Sequence, residues 1–402
     1  MSKPGVMASE RVKLSLVQAF FWAAMVCPSL TSMYLASRGF SPKEVGDMAA
    51  ALALVSIVFQ PVWGIISDRL RSARGVFIIC MTVSATVWVL SPTALSAFGL
   101  AFVWLLWPLS RVFLCPLGSL LDSLVARTVA RDRGAAYGSI RLFGAVGYAL
   151  MGTAITSLIA FFGNIDVMFY GFAVMTAATC AVVFFVGDER ASVRRVRSFR
   201  ELKVGALLKR YPYWTFLLFC VTLNIPVSAG INFMPYLLRS IGQENLSVMG
   251  AIVGLKALFE VPVFLASGRL IRRFHPGYLL VAAGSGYAIE MMLYAFCRDV
   301  YQVFAVQCFH GLMFGLFLSC QVQYAHSLAP GELSATAQTL SGAAMAFAGI
   351  IANTLGGRLF VHIGVRPFYL SAGVLQVLSL ALFSLSLKNT RRLQAAEAAG
   401  GA

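Results

Sequence analysis

Asp188-Glu189-Arg190-Ala191-Ser192-Val193-Arg194-Arg195-Val196-Arg197-Ser198-Phe199-Arg200, continuing through Glu201-Leu202-Lys203 to Lys209-Arg210, is the one long hydrophilic break in this sequence. It falls near the midpoint of 402 residues, of which 59% are apolar and only 12% charged. An ordinary soluble domain carries about a quarter charged residues, so a water-soluble globule is excluded. A crossing needs about 20 apolar residues plus a short connection, so this length accommodates roughly twelve crossings. Outward from the break the apolar runs resolve into six spans on either side. The first six lie near 13–36, 43–66, 75–93, 97–126, 134–162 and 165–187. The second six lie near 212–238, 244–268, 276–297, 300–326, 332–360 and 366–387. The expected organisation is therefore an N-terminal bundle over 1–187, a cytoplasmic linker over 188–210 and a C-terminal bundle over 211–402. The fold class expected is all-α, integral to the membrane, in two pseudo-symmetric six-helix bundles.

The net charge of +16 does not call for a nucleic-acid partner, because the cations sit in short gaps between apolar runs instead of on a soluble basic face. Positive-inside sorting accounts for them. With the N-terminus in the cytoplasm, twenty-three Lys and Arg fall on that side, and only Arg38, Lys43, Arg239, Arg298 and Arg366 fall on the other. An even number of crossings returns the C-terminus to the cytoplasm. The first span follows Arg11 and Lys13 as a signal peptide would, but its apolar run is longer than the usual one and no small-residue cleavage site follows, so it is expected to stay. The eight cysteines lie in apolar stretches without the close spacing of a metal site or a disulfide framework, and read as packing residues. No metal or cofactor is expected.

Four cations remain inside predicted spans, Arg111, Arg141, Lys256 and Arg358, joined by Asp122, Glu260, Glu290 and His310. Each charge near a helix centre costs roughly 2.5–3.5 kcal/mol against lipid, so these groups must face one another or water. Arg111, Cys115, Gly118 and Asp122 share one face of the fourth span, and Lys256 and Glu260 stand one turn apart on the eighth. Gln307, His310, Phe314, Phe317 and Gln321 form a stripe on the tenth span, and Asn224, Ser228 and Asn232 form another on the seventh. Stripes on several helices imply a shared central cavity. Some of these groups also have plain structural explanations. Asp122 and Arg111 can snorkel, Lys256 and Glu260 can simply neutralise one another, and the amides can be interhelical glue. Arg358 reads as an interfacial anchor. Glu290 has no partner on its own helix, which favours a proton-binding or cation-binding role.

These residues resemble the major facilitator superfamily. Gly64-Ile65-Ile66-Ser67-Asp68-Arg69-Leu70-Arg71 is similar to its signature loop after the second helix, with Arg71 standing where that signature has Gly. The resemblance implies that Gly64, Asp68 and Arg69 serve a conformational switch, with Asp68 capping a neighbouring helix and pairing with Arg. Tyr137-Gly138-Ser139-Ile140-Arg141-Leu142-Phe143-Gly144-Ala145-Val146-Gly147-Tyr148 resembles the fifth helix of the lactose permease and phenylpropionate permease groups. There the arginine binds substrate and pairs with an acid ending the fourth helix, which Asp122 matches, and Tyr148 takes the place of a sugar-stacking Trp. Phe259-Glu260-Val261-Pro262 and Leu328-Ala329-Pro330-Gly331 resemble segments of bacterial sugar-efflux transporters. His310 falls on the permease group's coupling histidine, but Glu290 replaces an arginine and Met313 an acid, so that proton circuit does not carry over.

A two-halved transporter holds its substrate between the halves near midplane. The expected function is thus a proton-coupled secondary transporter for a small polar or amphipathic solute, either a sugar or an organic acid, working as a monomer in a bacterial inner membrane. Glu290 and Glu260 are the proton-coupling candidates. Arg141, Asp122, Lys256, His310, Tyr148, Asn224, Asn232, Gln307 and Gln321 are the substrate-binding or gating candidates. The alternative is a non-transporting receptor or scaffold on the same fold. An enzyme is disfavoured, since His275, His310, His326 and His362 sit on separate segments without the spacing of a catalytic or metal cluster.

Overall fold

The structure, a computed structural model, describes residues 4–70, 72–131, 137–186, 209–243, 248–328 and 334–400. The described chain is helical and includes twelve stretches long and apolar enough to cross a membrane. In the first half these are built from α1 (Pro4–Ser29), α2 (Thr31–Ser37), α3 (Pro42–Leu70), α4 (Ala73–Phe98), α5 (Val103–Leu114), α6 (Leu117–Arg131), α7 (Tyr137–Phe162) and α8 (Val167–Phe184). In the second they are α9 (Tyr211–Asn232), α10 (Met234–Ser240), α11 (Val248–Arg273), α12 (Pro276–Phe296), α13 (Val300–Leu328), α14 (Ser334–Ile363) and α15 (Val365–Gly400). Only helices close every backbone hydrogen bond within one segment, which is why apolar runs of this length take no other form in lipid.

Five spans differ in detail from their expected outlines. The first, fourth and seventh are each made of two helices, α1 with α2, α5 with α6, and α9 with α10. Pro116 has no N–H to give at the α5–α6 break, and Pro28 lies just ahead of the α1–α2 break. The stretch Gly64–Leu70, expected as a loop, still belongs to α3. Nothing in it breaks a helix, and the turn comes only at Ser72, whose side chain accepts from the Gly75 N–H at 2.9 Å and starts α4. The last helix runs past residue 387 to Gly400, because the tail is rich in alanine, the strongest helix former. The linker expected over 188–210 and the residues Ala329-Pro330-Gly331 fall almost wholly outside the described residues.

The chain groups into two compact units. One comprises Met1–Phe40, Ala51–Arg194 and Glu244–Val261; the other comprises Ser41–Ala50, Arg195–Gln243 and Pro262–Ala402. In the first unit, Gly147 on α7 rests on the Ala19 backbone of α1, so close that no side chain fits between them. The N-terminal part of α11 joins this unit through Gly250 and Gly254, which approach Gly152 on α7. Aromatic rings fill the remaining interior, Trp88 lying parallel to Trp107 and Tyr34 meeting Phe169 edge-on. In the second unit, Phe219 stacks on Phe383 at 4.0 Å. Hydroxyls then tie α9 to its neighbours. Tyr213 donates to the Ala337 carbonyl and Tyr369 to the Gly230 carbonyl, both at 2.9 Å. Gly46 at the start of α3 joins this unit by resting on the Asn353 backbone of α14. Leucine, phenylalanine and valine on the outer faces, among them Leu150, Phe161, Val174, Leu265 and Leu382, are exposed, as side chains that meet lipid must be.

Candidate functional site

Two polar centres interrupt these apolar interiors, one in each unit. The first lies where α1 passes α7. Arg141 sits one turn into α7, with its guanidinium carbon 4.0 Å from the centre of the Trp22 ring. Trp22 in turn meets Tyr148 edge-on at 6.4 Å. Gln18, one turn before Trp22 on α1, is fully buried. Gly144 makes room for the group: a methyl there would come within 2.5 Å of Trp22 Cδ1, 2.7 Å of Arg141 Nη1 and 3.1 Å of Gln18 Oε1. On α11, Lys256 Nζ stands 4.0 Å from Glu260 Oε1, and Glu260 feels the positive charge of Lys256 first and of Arg141 second. The two cations and one carboxylate leave this centre with a net positive field.

The second centre is tighter. On α12 and α13, His310 Nδ1 lies 2.7 Å and 2.9 Å from the two carboxylate oxygens of Glu290, and the side chains are 0% and 1% exposed. The imidazole is held between the Tyr287 ring at 5.5 Å and the nearly parallel Phe314 ring at 6.0 Å. Its Nε2 is buried without a hydrogen-bond partner. One turn beyond Glu290, the Tyr294 hydroxyl accepts from Gln307 Nε2 at 2.8 Å and reaches toward the Glu290 carboxylate. Tyr294 also packs on Tyr369. The carboxylate and the imidazole thus satisfy each other's polar atoms in a place closed to water.

The remaining expected residues are placed differently. Asn224 spends its amide on the Cys220 carbonyl of its own helix at 2.7 Å. Asn232 donates to Asn353 Oδ1 at 2.6 Å and joins α9 to α14. Gln321 is buried on α13, about three turns from His310. Asp122 is an exposed residue of α6. Arg111 donates from Nε to Ser56 Oγ at 2.7 Å, an interhelical bond that explains its presence inside a span. Gly64 is exposed on α3, while the side chains of Asp68 and Arg69 lie outside the described residues. Arg358 stands 3.5 Å from Asp47 and donates to its own Thr354 carbonyl. Gln18, Trp22, Tyr287 and Tyr294 of these centres escaped sequence reasoning, as did Asp47 beside Arg358. Gln18 and Trp22 are at i and i+4 on one face, and that spacing is the signal that could have found them.

Ionic and amide groups gathered inside helices of membrane-crossing length define a multi-pass membrane transporter. The chain belongs to the MFS_1 like family, whose model matches residues 12–371, and is a secondary transporter, not an enzyme. It is 28% identical over 376 residues to the maltose permease of Geobacillus stearothermophilus, covering 90% of each chain. It is 24% identical over 382 residues to the lactose permease of Klebsiella oxytoca, covering 88% of each. Among solved structures, a mutant of the nucleoside transporter NupG has the same fold with a TM-score of 0.80 at 16% identity, over 94% of this chain and 99% of that one.

Proposed function

We propose that this transporter is proton-coupled, moving a small polar solute, a sugar or an organic acid, by alternating access in a bacterial inner membrane, with both termini cytoplasmic and as a monomer. Residues 1–187 and 211–402 are the halves that rock about the solute, and Gly64, Asp68 and Arg69 serve the switch between states. The Glu290–His310 pair takes up and releases the proton. Arg141 and Tyr148 meet the solute, and Lys256 with Glu260 adjusts the field around it. The observation that carries this reading is the carboxylate–imidazole contact at 2.7 Å with both side chains sealed from solvent. Buried ion pairs are poor stabilisers compared with apolar packing, so one kept in the interior favours a working role over a structural one.

The relatives named as maltose and lactose permeases support solute transport through this architecture. The test is uptake of maltose, lactose, uridine and benzoate into proteoliposomes, with and without an imposed pH gradient. Glu290→Gln is expected to abolish gradient-driven accumulation while preserving solute counterflow. Accumulation at the wild-type level in that variant would remove the pair from coupling.

A further inference from the structure

We infer that Gln18 and Trp22 on α1 form a hydroxyl-recognition subsite with Arg141, built for adjacent hydroxyl groups on a neutral solute and against a bare carboxylate. The inference rests on the transport reading for its occupant, but its residues are named on other grounds. Both amide atoms of Gln18 and the indole nitrogen of Trp22 are buried and have no hydrogen-bond partner. Buried polar atoms are almost always satisfied, so three orphans in one cluster mark a place where a partner arrives from outside. The three side chains converge over Gly144, whose missing side chain is what lets Gln18, Trp22 and Arg141 approach one another.

The chemistry of the orphans selects the partner. Trp22 Nε1 can only donate, Arg141 can only donate, and Gln18 offers two donors and one carbonyl acceptor. A carboxylate accepts only; it would leave the Gln18 carbonyl unpaired beside a negative charge. A hydroxyl both accepts and donates. Two hydroxyls on neighbouring ring carbons can accept from Trp22 and from the Gln18 amide while returning a proton to the Gln18 carbonyl, whichever way that amide is turned. The Arg141 guanidinium stacked on the Trp22 face holds the indole edge in place. Neither Gln18 nor Trp22 has another visible duty: neither side chain carries a helix contact that needs its polar atoms.

The full-length protein in lipid nanodiscs tests this with two variants and four probes. Trp22→Phe keeps a ring under Arg141 and deletes the N–H; Gln18→Met keeps the volume and deletes the amide. Binding of maltose or uridine, but not benzoate or succinate, is expected for the wild type, and each variant should weaken it about tenfold. Without solute, Gln18→Met should unfold at the same temperature as wild type or higher, because it removes orphaned atoms. Wild-type affinity in both variants, binding of the acids alone, binding of no probe, or a lowered unfolding temperature for Gln18→Met would each overturn the assignment. If wild-type protein binds maltose through Trp22 yet accumulates no solute under an imposed pH gradient, the proton-coupled reading fails while the subsite stands.

Discussion

The two polar centres differ in what they leave unfinished. Around Arg141 the permanent charge is shielded by an aromatic face and the neighbouring amide and indole have no partners. Around Glu290 the two titratable groups satisfy each other and only one ring nitrogen is open. On the reading proposed above, the centre with open donors, on α1 and α7, receives the solute, and the centre whose members close on each other, on α12 and α13, changes charge.

The comparison breaks most visibly at the closed pair. Glu290→Leu leaves a buried imidazole without its carboxylate and is expected to cost about 3–5 kcal/mol of stability, whereas Glu290→Leu combined with His310→Phe should regain most of it. Thermal unfolding in detergent checks both, and gradient-driven uptake should be lost in both. If the double variant were no more stable than the single one, the pair would not be an isolated two-body unit. At the open centre, Arg141→Ala removes a half-buried cation and its stack on Trp22. It should weaken solute binding by about 100-fold, near 3 kcal/mol, with little loss of stability. Equal effects on stability at the two centres would erase the distinction drawn between them. A third, exposed pair sets the scale. Asp47 with Arg358 is solvent-accessible at 3.5 Å, and a double-mutant cycle on unfolding should return less than about 1 kcal/mol of coupling.

The twelve spans were legible because each is a long apolar run closed by charge, and a membrane leaves such runs one conformation. The interior charges were legible as a group for the same reason: they are expensive where they stand. Their partners were not. Glu290 and His310 are twenty positions apart on adjacent helices, and no spacing rule tells which faces of two helices turn toward each other. Arg111 looked like one end of a stripe with Asp122, but the Ser56 hydroxyl answers it from α3. Asp47 drew no reading from the sequence, and the backbone approach of Gly46 to Asn353 is what brings it to Arg358. Gln18 stayed hidden because the first span, following Arg11 and Lys13, is read for its likeness to a signal peptide and not for the face that it turns inward.

The last helix has a practical consequence. Its membrane-length window ends at Thr390, yet α15 continues to Gly400, ten residues that extend about 15 Å at the usual helical rise. A fluorescent domain spliced in register onto that rod would turn with the transporter instead of swinging on a tether, so its anisotropy should report rotation of the whole particle, and the same graft would serve as an orientation marker in electron micrographs.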